Sequence, residues 1–220
     1  MSSSSRGEAL SGELEPYSFF QRCLEKPSAE QLALFQHPQF PSLLAGLAAD
    51  LGEALLAWEP PPTFADLEAT YISLFEVGLP APPIPLLCSH YCHRDPVPKV
   101  LHEHMLFYTT FGLAPRDDDD ETADHLLNEL DFLAALSRLE AAAVETERAR
   151  PVRLAKRDFL ARQLLAWLPE AAAKAEDLAP PLFVALLSLL LAAARADHQR
   201  QEAWLAAHPE AETSAKTATD

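Results

Sequence analysis

Glycine is scarce in this chain, with six in 220 residues, against a typical ~7%. Few tight hairpins can form, so neither a β-barrel nor a β-sandwich is expected. Basic side chains are also few. Seventeen Lys and Arg face 33 Asp and Glu, a net charge of −16. Duplex nucleic acid and anionic membranes need clustered cations, so neither is expected as a partner. A basic partner suits this surface. Cysteine is limited to Cys23, Cys88 and Cys92. An odd count without the spacing of a disulfide framework points to a reducing cytoplasm. No apolar run reaches the ~20 residues of a membrane span. The longest, Leu182–Ala194, has thirteen with Ser188 inside, and reads as a buried helix. Met1–Gly12 is Ser-rich with Arg6 alone. It holds no apolar core and no twin arginine, so export is not expected. A glycine-rich phosphate loop and a G-x-S-x-G elbow are both missing, so neither chemistry is expected, and no cofactor is assigned.

Hydrophobic residues make up 49% of the chain, enough for a real core at this length. Nineteen prolines do the punctuating, in clusters at Pro60–Pro62, Pro80–Pro85, Pro96–Pro98 and Pro180–Pro181. Helical periodicity fills the intervals. Ser28 with Gln31 reads as a capping box. Leu43, Leu44, Leu47, Leu51, Leu55 and Trp58 repeat at helical spacing. Thr63 caps a helix bearing Leu67, Tyr71, Leu74 and Phe75, which Gly78 ends. Val100, Leu101, His104, Met105, Tyr108 and Phe111 form another stripe, closed by Gly112. Four acids follow, Asp117–Asp120. Thr122 is expected to cap a long helix through Leu136. Pro151 is expected to open a helix that Pro169 stops. The fold class is therefore all-α, a single-domain bundle of about seven or eight helices. Its body runs from 13 to 206, with flexible ends at 1–12 and 207–220.

Two constellations resemble metal chemistry. Cys88-Ser89-His90-Tyr91-Cys92-His93 is rich in zinc-type ligands. A second pair, His102 and His104, lies two residues apart on different helix faces, so a structural zinc site is not expected and no metal ligand is assigned. Asp124-His125 reverses the His-Asp doublet of helical metal phosphohydrolases, and a hydrolase using that pair is one alternative. The other is a helical interaction protein with some other partner.

Five segments occur in order: Tyr71-Ile-Ser-Leu74-Phe75-Glu-Val-Gly78, a proline-rich loop ending Ser89-His90-Tyr91, and Phe107-Tyr108-x-x-Phe111-Gly112-Leu113. Then come Glu121-Thr-Ala-Asp124-His125-Leu126-x-x-Glu129-Leu130-x-Phe132-Leu133 and Phe159-Leu160-x-x-x-Leu164-x-x-Trp167-Leu168-Pro169. This set resembles the TorD/DmsD/NarJ family of redox-enzyme maturation chaperones. Ala123 departs from that family's pattern, which often has proline there. The loop from Gly78 to Tyr91 is most similar to the branch serving type II dimethyl-sulfoxide-reductase-family enzymes. The resemblance implies an all-helical cytoplasmic protein without catalysis of its own. It implies a molybdenum-containing catalytic subunit as partner, bound at its twin-arginine leader and held for cofactor insertion before export. Guanine nucleotide is a further partner by family analogy.

A twin-arginine leader has a cationic end and an apolar stretch, so its binder needs an apolar groove flanked by acids. The expected client-contact residues are Tyr71, Leu74, Phe75, Pro85, Tyr91, Asp124, His125 and Glu129. Tyr71, Leu74 and Phe75 lie at i, i+3 and i+4 on one helical face. His125 and Glu129 share another, with Asp124 beside them. Such contacts with arginine are expected to be sensitive to salt.

Overall fold

The structure is a computed structural model that describes residues 15–55, 58–93, 95–114, 122–143 and 145–209. The acidic run from Asp117 to Glu121 and most of both expected flexible ends lie outside these residues. Ten α-helical segments are present among the described residues: α1 (Pro16–Leu24), α2 (Ala29–Phe35), α3 (Phe40–Leu51), α4 (Phe64–Tyr71), α5 (Cys88–Tyr91), α6 (Val97–Thr110), α7 (Leu126–Ala142), α8 (Thr146–Phe159), α9 (Leu165–Leu178) and α10 (Pro181–Ala207). Two wider π turns, Ile72–Glu76 and Leu160–Leu164, extend α4 and join α8 to α9. No strand occurs among the described residues. One isolated antiparallel bridge pairs Leu87 with His125.

α10 is the central element. It packs on α9, α8, α1 and α3, burying Phe183, Leu186, Leu187, Leu190 and Ala194. Its 27 residues are long and apolar enough to cross a membrane, yet most of that apolar window is buried inside the protein. This is a core helix, as its sequence suggests. α7 packs on α1 and α8, with Leu126, Leu130, Leu133 and Leu136 fully buried.

Local chemistry sets several boundaries. The Ser28 and Thr63 hydroxyls accept from the Gln31 and Asp66 amides. The Gln31 side chain does not complete a capping box. It donates instead to the carbonyls of Arg22, Cys23 and Glu25, satisfying the end of α1. Gly112 closes α6 at φ 69°, a left-handed conformation that glycine adopts without penalty. Gly78 plays another part. Its φ is not positive, but a Cβ there would run into the Ala81 and Pro82 backbone.

Both prolines expected at helix ends lie inside helices: Pro151 within α8, Pro169 within α9. An interior proline costs ~3 kcal/mol. α9 also buries Trp167, Leu168, Ala171, Ala172 and Ala175, and burial of that size outweighs the penalty. The π turn one turn before Pro169 is where the helical register adjusts.

A polar network ties four helices together. The Lys156 ammonium (α8) reaches Glu140 of α7 and Asp197 of α10, each at 3.0 Å. The Tyr17 hydroxyl (α1) donates to Asp197 at 2.8 Å. Burial raises the Asp197 carboxyl, but the Lys156 and Arg200 charges outweigh it and hold the group below its usual range.

Candidate functional site

The proline-rich loop does not stand away from the body. The Ile84 amide donates to the Leu74 carbonyl at 2.9 Å, which pins the loop to the π turn. Further along, Cys88 N–H donates to the Asp124 carbonyl and Leu126 N–H to the Leu86 carbonyl, at 3.0 and 2.9 Å. Segments 84–88 and 123–126 are thus clasped side by side.

A groove of about 390 Å³ opens between this clasp and the end of α4. Its apolar lining comes from Tyr71, Phe75, Pro82, Pro85 and Leu86. Lys26, Glu76, His90, Thr122 and His125 supply the polar rim. Tyr71 and Phe75 meet edge to face at 5.0 Å, and Phe183 of α10 backs Phe75 at 5.3 Å. The Tyr71 hydroxyl donates to the Leu24 carbonyl, so the ring is fixed from behind. Burial, then the Lys174 charge, holds His90 below the usual histidine range. Glu76 is the one acid among the described lining residues. In the sequence, Thr122 of the rim directly follows the five acids Asp117–Glu121.

Of the residues expected to contact a client, Tyr71, Phe75, Pro85 and His125 converge on this groove. Leu74, Tyr91, Asp124 and Glu129 do not line it and are buried; Tyr71 and Phe75 line it with only 3% and 6% of their surface exposed. Tyr91 stacks on Trp167 with ring centroids 5.3 Å apart, beneath the Lys174 ammonium. Asp124 is fully buried. Its carboxylate accepts from Ser89 N–H at 2.8 Å and from the Thr122 hydroxyl at 2.6 Å. Burial alone would raise its pKa, but those hydrogen bonds outweigh it and the group lies below the usual range.

Thr122 is not the cap of α7. That helix begins at Leu126, and the His125 imidazole accepts from Leu127 N–H as its cap. Asp124 therefore faces inward while His125 lines the groove. The two do not converge on a common point, which removes the geometric basis of the hydrolase alternative.

Glu129 sits at the centre of a buried node. One carboxylate oxygen meets His104 Nε2 at 2.8 Å, and Trp167 Nε1–H is shared between the other, at 3.1 Å, and that same one, at 3.3 Å. His104 Nδ1 faces the Val100 carbonyl at 2.9 Å, and a carbonyl only accepts. Nδ1 thus carries a proton, and the His–Glu contact shares one more. The pair is neutral overall. Burial opposes charge on His104, but the hydrogen bond and charge of Glu129 outweigh it and raise its pKa. Cys88 lies against the same node, its sulfur, His104 and Glu129 all within 4.8 Å of one another.

Sequence reasoning did not place Lys26, Glu76 and Thr122 in the site: Lys26 and Thr122 are brought there by the fold, while the place of Glu76 directly after Phe75 was the available signal. A periodicity argument has no access to such long-range placement.

A family profile described as nitrate reductase delta subunit matches residues 37–173. The selenate reductase assembly chaperone protein of Thauera selenatis is 40% identical over 142 residues, which cover 63% of this chain and 71% of that one. The chlorate reductase assembly chaperone protein of Ideonella dechloratans is 40% identical over 105 residues, covering 47% and 54%. The dimethyl sulfide dehydrogenase assembly chaperone protein of Rhodovulum sulfidophilum is 41% identical over 140 residues, covering 59% and 56%. The chain thus spans little more than half the length of the last two. The crystal structure of a candidate redox enzyme maturation protein from Archaeoglobus fulgidus superimposes with a TM-score of 0.47 at 20% identity, covering 87% of this chain and 95% of that one. With its five ordered motif segments packed into one all-helical body, and with 40% identity to an assembly chaperone over most of that relative's length, this chain belongs to the nitrate reductase delta subunit family.

Proposed function

We propose that the protein is an assembly chaperone for the catalytic subunit of a type II dimethyl-sulfoxide-reductase-family molybdoenzyme. The observation that carries this reading is the convergence of three of the five motif segments on one apolar groove, in a chain whose relatives are named assembly chaperones. The client's twin-arginine leader is the proposed occupant. Tyr71, Phe75 and Pro85 would take the apolar stretch. Glu76 and the Asp117–Glu121 run that adjoins Thr122 in the sequence would attract the arginines. Leu74, Tyr91, Asp124 and Glu129 support the groove from behind instead of touching the leader.

The helical body from 13 to 206 is the proposed chaperone unit, acting in the cytoplasm before export and without catalysis. Guanine nucleotide is a secondary partner implied by the family resemblance alone. Calorimetry with the leader peptide and with the intact catalytic subunit tests the main reading. Binding that weakens with salt is expected. Absence of binding to both would sink it, and binding to the subunit alone would move the contact from the leader to the mature domain. Titration with a guanine nucleotide under the same conditions tests the secondary partner.

A further inference from the structure

The node behind the groove brings together more than a structural ion pair. Cys88, His104 and Glu129 are all buried, and their sulfur, nitrogen and oxygen atoms lie within 4.8 Å of one another. Cys92, half-buried on the outer side, holds its sulfur 3.2 Å from that of Cys88. We propose that the buried trio forms a binding site for a thiophilic divalent cation of the zinc class, with Cys92, which contacts Cys88 but lies outside the 4.8 Å cluster, moving in as a fourth ligand.

Thiolate, imidazole and carboxylate are the ligands zinc takes, at about 2.3 Å for sulfur and about 2.0–2.2 Å for nitrogen and oxygen. Donors around one tetrahedral ion therefore lie about 3.3–3.8 Å apart. The His104–Glu129 contact of 2.8 Å and the sulfur contact of 3.2 Å need to open by less than 1 Å, while the Cys92 sulfur, outside the 4.8 Å cluster, has to swing toward His104 and Glu129. His104 is already oriented as a ligand. Nδ1 is committed to the Val100 carbonyl, which leaves Nε2 facing the site. Trp167 Nε1–H is shared between both Glu129 oxygens, at 3.1 Å to the one remote from His104 and 3.3 Å to the one facing it, and fixes the carboxylate plane. Outer hydrogen bonds of this kind orient metal ligands.

Charge balance favours the exchange. Without metal, the buried trio holds a neutral thiol and one shared proton on His104 and Glu129. A divalent cation would displace both protons and leave the trio with the same net charge. Cys92 would lose a third proton at the half-exposed edge. Asp124, Tyr108 and Cys92 are the titratable groups that act on this trio. None of the four ligands lines the groove, so the test does not depend on a client.

The test uses the full chain, reduced and freed of metal, titrated with Zn²⁺ against a chromophoric chelator and with Co²⁺ by absorption. One ion per chain is expected, with a sulfur-to-cobalt charge-transfer band and release of at least two protons per ion. Cys88→Ser should weaken binding by about 100-fold or more, and Trp167→Phe by about 10-fold. Cys92→Ser, at the half-exposed edge, keeps the proposal testable if the Cys88 variant does not fold. Equal affinity in wild type and both Cys variants overturns the site. So does a cobalt complex without the sulfur band, or a protein whose two cysteines only cross-link on oxidation and take up no metal.

Discussion

The groove and the node behind it are built from the same short segments and treat their polar groups in opposite ways. Asp124 and His125 are adjacent in the chain. Asp124 is sealed under the Ser89 amide and the Thr122 hydroxyl, whereas His125 lines the groove. Glu129 is wholly buried against His104 and Trp167, while Glu76 is exposed on the rim opposite Lys26. On the proposed reading, a motif acid would serve the groove without touching its occupant. It would fix the wall on which that occupant lies.

The sharpest way to break this contrast is Glu129→Ala. It leaves His104 and Trp167 without their buried acceptor, and removal of one partner of a buried pair costs about 3–5 kcal/mol. Chemical denaturation at neutral pH reads this directly. A variant as stable as wild type would place Glu129 on the groove side of the contrast.

Asp124→Ala should follow, at about 1–2 kcal/mol, because it strips the side-chain cap from the start of α5. A pH profile sharpens the point. Asp124 and Asp197 both lie below the ordinary 3.8 in the folded protein. Just below pH 3.8 the folded chain binds fewer protons than the unfolded one. Stability is therefore lost as pH falls through the depressed folded values. Asp124→Asn should make that acid limb shallower. On the other side, the raised His104 stabilises fully below 6.5 and loses its contribution as pH rises through its folded value.

On the groove side, the expected stability effects are small and the binding effects larger. His125→Asn keeps a capping acceptor for α7, so stability should stay within about 0.5 kcal/mol, while the proposed binding of the leader should weaken in calorimetry. Glu76→Gln should change stability least, since its contact with Lys26 is an exposed pair at 3.8 Å and such pairs contribute about 0–1 kcal/mol. Its readout is a flatter dependence of leader binding on salt. A large drop in melting temperature from either variant would erase the distinction between wall and support.

Much of the bundle was legible in the sequence because helices announce themselves locally. The leucine stripe of α7, the Ser28 and Thr63 caps and the left-handed Gly112 all follow from neighbours a few residues apart. Pro151 and Pro169 misled for the same reason. Their local cost is real, but the burial around Trp167 comes from residues elsewhere. The groove was half legible. Tyr71 and Phe75 share a face at helical spacing, whereas the inward turn of Asp124 depends on an amide 35 residues away. His104, Glu129 and Cys88 are likewise brought together by the fold, with no spacing that announces them.

Phe183, which backs the groove, belongs to α10 and thus to the last helix described. The order in which the chain emerges then acquires a consequence. Domains form from the N-terminus as synthesis proceeds, so Tyr71, the proline loop and His125 are all made well before Pro181. Until α10 docks, the aromatic pair on α4 has no back wall and the core lacks its central rod. Competence to bind would appear in a single late step, coupled to closure of the core. A half-made chaperone would then have no finished groove to offer a client.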